Sequence, residues 1–199
     1  MMGLMNMSEN VFAGSDEARS TELSKYVQTV TLDEPLSLEN GGQLSSVTVA
    51  YETYGELSPE KDNVVLICHA LTGDSHVAAH DENDEPGWWD IARMVGPGCP
   101  IDTNQYFVIC PSVLGGCRGT TGPNSINPET DKPYGKDFPN ITIGDIVEVQ
   151  RRLMAHLGIE TLLAVVGGSM GGHMVLAWAA KFPKIVNGVV ALATSPRLS

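Results

Sequence analysis

Residues 167–172 (GGSMGG) constrain the fold more than any other part of this sequence, because of what lies on either side of them. Residues 162–166 are apolar and predict a buried strand, whereas residues 174–182 have a helical pattern. A strand that passes into a helix through a tight glycine-rich turn is typical of a parallel α/β sheet. The chain is therefore predicted to build such a sheet around this turn.

Other apolar segments supply further strands. Val64–Cys68 and residues 106–110 are continuous apolar runs, which is typical of strands buried on both faces of a parallel sheet. Residues 185–193 are again strand-like. Thr142 is predicted to cap a helix with apolar residues at 3.6-residue spacing, which ends at Gly158. The order strand, helix, strand, helix, strand predicts right-handed parallel connections.

The N-terminal part has a different pattern. Residues 1–25 are polar and are predicted to form a flexible lead, followed at residues 26–199 by the N-terminal part of a single domain. Alternation from Tyr26 and a turn at Gly41-Gly42 predict an antiparallel hairpin that ends in the strand Val47–Tyr54.

Composition and charge exclude several classes of protein. No stretch approaches the ~20 consecutive apolar residues of a membrane-spanning helix, which favours a cytoplasmic protein. The net charge of -12 disfavours binding to nucleic acid or to an anionic membrane.

The four cysteines are predicted to be free thiols, with Cys117 the most exposed. The acidic residues between Asp81 and Glu85 predict a solvated loop, and we expect no metal site because no His, Cys or calcium-loop glycine falls in register with them.

The turn also carries a chemical signal. Its residues 167–171 match the pattern G-x-S-x-G, which between a strand and a helix is typical of the nucleophile elbow of the α/β-hydrolase fold and makes Ser169 the candidate nucleophile. The alternative is a glycine-rich turn that only packs or binds a phosphate. Acyl transfer also needs oxyanion donors. We expect these to be the backbone N–H groups of Met170 and of Leu71, which follows an earlier central strand.

The base of a Ser-His-Asp triad is harder to place. On this fold the acid and the histidine follow the serine in the chain. No Asp or Glu lies between Met170 and Ser199, and the only histidine there, His173, is on the elbow helix that leads away from the serine oxygen. The triad is therefore predicted to be incomplete here, with its acid and histidine beyond Ser199. The remaining histidines are His69, His76, His80 and His156.

Four blocks in this order and spacing resemble one family. They are CHALTGDSH at residues 68–76, GWWD at residues 87–90, LGGCRGTTGPNSINPETDKPYG at residues 114–135, and GGSMGG. From about Val47 to Ser199 the chain is similar to homoserine O-acetyltransferases, α/β hydrolases of methionine biosynthesis. The resemblance implies that the chain is the N-terminal part of such an enzyme, without its C-terminal part and lid.

The resemblance also implies a ping-pong reaction. Ser169 would take the acetyl group from acetyl-CoA and pass it to the γ-hydroxyl of L-homoserine, with no permanently bound cofactor and, in the full-length parent, a homodimer. Arg118 would line the substrate tunnel. Other interpretations stay open: a succinyl donor, serine as the acceptor, a carboxylester hydrolase, or an inactive truncated product.

Overall fold

The computed structural model describes residues 23–196. The predicted flexible lead lies outside the described residues, apart from residues 23–25. In chain order the elements are β1 (Gln28–Leu32), β2 (Leu36–Ser37), β3 (Gln43–Leu44), β4 (Val47–Tyr54), β5 (Val64–Cys68), β6 (Val95–Gly96), β7 (Ile101–Asp102), β8 (Phe107–Pro111), β9 (Ile126–Asn127), β10 (Lys132–Pro133), a 3₁₀-helix (Gly135–Asp137), α1 (Ile143–His156), β11 (Ala164–Gly168), α2 (Met170–Lys181) and β12 (Val189–Leu192).

Six strands form the central sheet, in the order β1-β4-β8-β5-β11-β12. β4 pairs antiparallel with β1 and with β8. The other neighbours, β8 with β5, β5 with β11, and β11 with β12, are parallel. The predicted architecture, a mostly parallel sheet with an antiparallel N-terminal pair, is confirmed. The predicted turn at Gly41 and Gly42 joins the short strands β2 and β3, which lie between β1 and β4 in the chain.

The central strand β5 explains how the sheet is buried on both faces. Its five residues are all buried, as its continuous apolar run predicts. Because side chains alternate along a strand, Val64, Leu66 and Cys68 pack into a core that includes side chains of α1 and α2. Val65 and Ile67 pack on the opposite face, in a second core that includes Val77.

Helix α1 has the ends that its sequence predicts. The Thr142 hydroxyl accepts a hydrogen bond from the Asp145 N–H at 3.1 Å, and the Asp145 carboxylate accepts one from the Thr142 N–H at 2.8 Å. This capping box satisfies two backbone donors at the helix start. Gly158 follows the helix with a φ of 66°, a conformation that favours glycine and ends a helix.

A buried polar contact joins the two helices below the turn at Ser169. Gln150 on α1 accepts a hydrogen bond from the Trp178 indole of α2 at 2.8 Å. Both side chains are buried, so the bond satisfies two polar groups that water does not reach. The orientation of α2, and with it the turn that precedes it, is therefore fixed from beneath.

The structure corrects three predicted boundaries. β11 begins at Ala164 and not at Leu162, because Leu162 makes only an isolated bridge with Val186. α2 begins at Met170, so the second pair of glycines in GGSMGG belongs to the first helical turn and not to the turn before it. β12 covers only Val189–Leu192 of the predicted residues 185–193.

The last strand of the sheet differs from the others in exposure. All four residues of β12 are exposed, whereas every residue of β5 is buried. Two short strands, β9 and β10, and the 3₁₀-helix lie within the long connection between β8 and α1, which is called the long loop below. Among residues 23–196, no helix is both long enough and apolar enough to cross a bilayer.

Candidate active site

Ser169 is the residue at which β11 passes into α2. Its backbone has φ 56° and ψ −122°, in a region that non-glycine residues rarely occupy and that stores about 1–3 kcal/mol of strain. The Ser169 side chain makes no capping hydrogen bond to α2, and the residue is exposed. The sharp bend that the sequence predicts is present, and it leaves the serine hydroxyl at the N-terminus of the helix.

Glycines are required around Ser169 because two backbone segments approach very closely. A Cβ at Gly171 would lie 2.0 Å from the carbonyl oxygen of Cys68, and a Cβ at Gly167 would lie 2.7 Å from the same oxygen. Real Cβ atoms do not come this near to a backbone oxygen. At Gly168 the nearest atom would be 3.7 Å away, which is an ordinary contact. The two positions at which backbone atoms leave no room for a Cβ are those two residues before and two residues after the serine.

Leu71 and Met170, the residues with the predicted oxyanion donors, line one cavity of about 420 Å³. Among residues 23–196, no protein acceptor takes a hydrogen bond from the backbone N–H of either residue. The Leu71 side chain is 76% exposed, so packing does not account for its position. Most of the remaining lining comes from the long loop: Val113, Leu114, Gly115, Gly116, Cys117, Pro123 and Asn124.

His69 lies next to this loop but both of its ring nitrogens are occupied. Nδ1 lies 2.7 Å from the carbonyl oxygen of Ala70, and Nε2 accepts a hydrogen bond from the Val113 N–H at 3.1 Å. The ring is therefore the neutral tautomer with its proton on Nδ1. Burial lowers the pKa of His69, which favours the same neutral form. His69 therefore links the segment that contains Leu71 to the long loop. Neither of its ring nitrogens remains free to accept a proton from Ser169.

The other histidines do not complete a triad within the described part of the chain. No hydrogen bond joins the Ser169 hydroxyl to a histidine among residues 23–196. His156 ends α1 and is exposed, and His173 lies on α2. His76 and His80 are both bound to a buried carboxylate elsewhere. The expectation that base and acid come from outside this segment stays a prediction.

That carboxylate is Glu52, which is fully buried in β4. His76 donates to Glu52 Oε2 from Nδ1 at 2.9 Å, and His80 donates to the same oxygen from Nε2 at 2.8 Å. The Tyr54 hydroxyl also donates to Oε2, at 3.2 Å, and the Ser75 hydroxyl donates to Oε1 at 3.0 Å. Four donors therefore converge on one fully buried carboxylate.

Charge accounts for the state of this cluster. Burial by itself raises the pKa of Glu52, but the hydrogen bonds from His76 and His80 and the nearby positive charge lower it to about 2. The hydrogen bond to Glu52 raises the pKa of His76 to about 9, against the opposing effect of burial. Both ring nitrogens of His76 donate, since Nε2 lies 2.7 Å from the Glu85 carbonyl oxygen, and a histidine that donates twice is an imidazolium.

Arg118, the predicted tunnel residue, lies on a different cavity from Leu71 and Met170. It lines a space of about 330 Å³ together with Glu52 and His76, and its Nε is 3.7 Å from Asp74 Oδ2. Its role in a substrate tunnel stays a prediction. The four cysteines are free as expected, and Cys117 is the exposed one.

The sequence interpretation missed Glu52. A glutamate inside the otherwise apolar strand VTVAYETY was one signal, because a buried carboxylate needs partners. The spacing of His76 and His80 was a second signal. The partners lie 24 and 28 residues from Glu52 in the chain, so no local motif joins them.

Comparison with known proteins places this geometry in a wider group. Residues 63–199 match the alpha/beta hydrolase fold family. The bifunctional methionine biosynthesis protein MetXA/MetW of Rhodopirellula baltica is 52% identical over 96% of the chain. A homoserine O-acetyltransferase of Methanosalsum zhilinae is 55% identical over 82% of it, and a homoserine O-succinyltransferase of Magnetococcus marinus is 54% identical over 88%. The chain spans 31%, 33% and 44% of the length of these relatives.

Two solved structures are similar over most of the described chain. A homoserine O-acetyltransferase from Bacillus anthracis superposes with a TM-score of 0.72 at 42% identity, covering 83% of this chain and 46% of that one. The esterase E22 superposes with the same TM-score of 0.72 at 43% identity, covering 80% of this chain and 45% of that one. A transferase and an esterase therefore share this fold with the chain.

Proposed function

The chain belongs to the α/β-hydrolase fold family, and from this premise we propose that Ser169 is a nucleophile that carries an acyl group. The observation that carries the proposal is the φ of 56° at an exposed serine between β11 and α2. Backbone strain at a non-glycine residue persists where the surroundings over-determine it, and here it holds the hydroxyl clear of the sheet.

The backbone N–H groups of Leu71 and Met170 are the donors for the oxyanion of the tetrahedral intermediate. Both residues line the same cavity, and neither N–H has a protein acceptor among residues 23–196. The N-terminus of α2 adds a positive potential at the same place. Each such donor contributes about 2.7–4 kcal/mol to stabilisation of the transition state.

The proposed reaction moves an acetyl group from acetyl-CoA to the γ-hydroxyl of L-homoserine. Ser169 Oγ attacks the thioester carbonyl, its proton passes through a base to the departing CoA sulfur, and an acetyl ester forms on Ser169. The homoserine hydroxyl then attacks this ester and restores the serine. The similarity to a homoserine O-acetyltransferase supports this acceptor, and the succinyl-transferring relative makes a succinyl donor the variant to test.

We assign the triad base and acid to positions beyond Ser199. His69, which lies beside the Leu71 loop, has both ring nitrogens engaged, and His76 and His80 are held by Glu52. The 199-residue chain alone is therefore expected to acylate slowly and to turn over little or not at all. An external base such as imidazole should accelerate acylation, because among residues 23–196 no histidine is hydrogen-bonded to the Ser169 hydroxyl.

A carboxylester hydrolase is the second candidate, since esterase E22 is as similar to the chain as the homoserine O-acetyltransferase from Bacillus anthracis. The acceptor distinguishes the two. Acetylated protein is isolated, then incubated with imidazole in water, with L-homoserine and with L-serine. We expect O-acetylhomoserine to form in preference to acetate. If acetate is the main product at saturating homoserine, the transferase assignment is wrong and the hydrolase is right. Parallel acylation with acetyl-CoA and succinyl-CoA distinguishes the donors.

A further inference from the structure

We propose that Glu52, His76 and His80 form a binding site for a divalent transition-metal ion of the zinc type. Each of the three offers one ligand atom, and these atoms all lie within 4.8 Å of one another. Two imidazoles and one carboxylate are a donor set that suits zinc and related ions, whereas magnesium and calcium prefer oxygen ligands alone. The cluster is separate from Ser169 and does not depend on the acyl-transfer proposal.

The outer contacts of the three side chains are those that metal ligands need. A ligating histidine usually donates its other ring N–H to a carbonyl or a carboxylate, which fixes the orientation of the ring. His76 Nε2 donates to the Glu85 carbonyl oxygen in this way, so Nδ1 faces Glu52. Glu52 Oε1 accepts from Ser75, whereas Oε2 faces both imidazoles and also accepts from the Tyr54 hydroxyl, so Oε2 is the ligand atom.

The ring of His80 is fixed by stacking. It lies between two tyrosine rings, with centroid distances of 4.0 Å to Tyr26 and 4.3 Å to Tyr54, and nearly parallel planes. This arrangement directs Nε2 toward Glu52 Oε2. All three ligand atoms are therefore held in place before any ion binds, and this reduces the entropic cost of binding.

On binding, the metal ion replaces protons, so the binding reaction is an exchange of one cation for another. The metal takes the place of the protons that lie between the two imidazoles and Oε2. His76 releases one proton to solvent and keeps the one on Nε2, and His80 becomes the tautomer with its proton on Nδ1. The ion then has three protein ligands and an open position. Glu52 and His76 line a cavity of about 330 Å³, from which water or a small ligand reaches that position.

The test is zinc binding by the 199-residue chain after treatment with a chelator. Exposed Cys117 is a competing zinc ligand, so all variants carry Cys117→Ser. Equilibrium dialysis should give one zinc ion per chain, and Co²⁺ should give the visible absorption of a nitrogen- and oxygen-ligated site. His80→Gln and Glu52→Gln should weaken binding at least about 100-fold, and Ser75→Ala should weaken it about tenfold, as for other outer-contact residues. His156→Gln removes an exposed histidine on α1 and should bind like the parent.

A second measurement covers variants whose folding changes. Zinc should raise the midpoint of thermal unfolding of the parent and of His156→Gln by the same amount, and should leave that of His80→Gln unchanged. Circular dichroism identifies any variant that does not fold. If the parent binds no zinc, or if His80→Gln binds as tightly as the parent, the site does not exist and the cluster is only a histidine–carboxylate ion pair.

Discussion

The chain segment that follows β5 is held at its two ends by different physical effects. At its beginning, the carbonyl of Cys68 touches the backbone of the Ser169 turn so closely that only glycine fits at positions 167 and 171. At its other end, His76 and His80 bind a carboxylate buried in β4. Steric fit therefore fixes the turn that carries the serine, and charge fixes the cluster at Glu52. The first should be insensitive to pH and the second should depend on it.

The largest effect is expected where the backbones touch. Gly171→Ala puts a Cβ 2.0 Å from the Cys68 carbonyl oxygen, and backbone atoms cannot rotate out of the way. We expect it to lower the free energy of unfolding by about 3 kcal/mol or more. Gly168→Ala is the matched control, because its Cβ would be 3.7 Å from the nearest atom, and it should change stability by less than about 0.5 kcal/mol. Urea denaturation measures both, and equal losses would contradict the steric account.

The second-largest loss of stability is expected at the Glu52 cluster. Glu52→Gln keeps the shape of the side chain but removes the charge that binds the His76 imidazolium and the His80 ring. We expect a loss of about 2 kcal/mol in the free energy of unfolding at neutral pH in metal-free protein, as for hydrogen bonds to a buried charged group. Glu56→Gln, outside the cluster, is the control and should have little effect. A neutral result at Glu52 would mean that this charge does not stabilise the segment.

The pH dependence of stability follows from the same pair. The folded-state pKa of His76, about 9, is above its ordinary value of 6.5. Its contribution to metal-free stability is therefore complete below pH 6.5 and is lost as the pH rises through about 9. Urea denaturation across this range should show stability falling in the parent, and falling less in Glu52→Gln. Parallel curves for the two proteins would exclude His76 as the cause.

The smallest effect on stability is expected at Ser169, where a substitution should raise the free energy of unfolding and not lower it. Ser169→Gly removes the Cβ from a backbone with φ 56° and ψ −122°, which glycine adopts without strain. After the entropic cost of glycine we expect a gain of about 1 kcal/mol in the free energy of unfolding, together with complete loss of acylation. Ser169→Ala loses acylation too but keeps the Cβ, so it should not gain stability. A Ser169→Gly protein less stable than Ser169→Ala would show that the turn is not strained.

Local sequence patterns predicted the turn at Ser169. The six adjacent residues GGSMGG, between an apolar run and a helix, are enough to predict a bend. The buried strands and the capped helix α1 are also predicted by residues that are close together in the sequence. The boundaries of β11 and α2 differ from the predicted ones, because Leu162 is apolar yet pairs only through an isolated bridge, and because glycines at the start of a helix resemble a turn.

The charged end could not be predicted in the same way. Glu52 meets His76 and His80 only because β4 lies beside β8 and the segment after β5 folds over that edge of the sheet. Such contacts depend on strand order, which a single sequence does not specify. The acidic residues from Asp81 to Glu85 are adjacent in the chain and form a local pattern, whereas the set of possible metal ligands among residues 23–196 includes a carboxylate from a distant strand.

The central claim is that Ser169 accepts an acyl group, and locating that group on the chain tests it most directly. The protein is incubated with acetyl-CoA and imidazole, digested, and its peptides are sequenced by mass spectrometry. We predict one acetyl ester, on Ser169, that forms faster with imidazole and is missing from Ser169→Ala. Acetylation that is equal in Ser169→Ala, or a parent that stays unmodified at Ser169, would contradict the account.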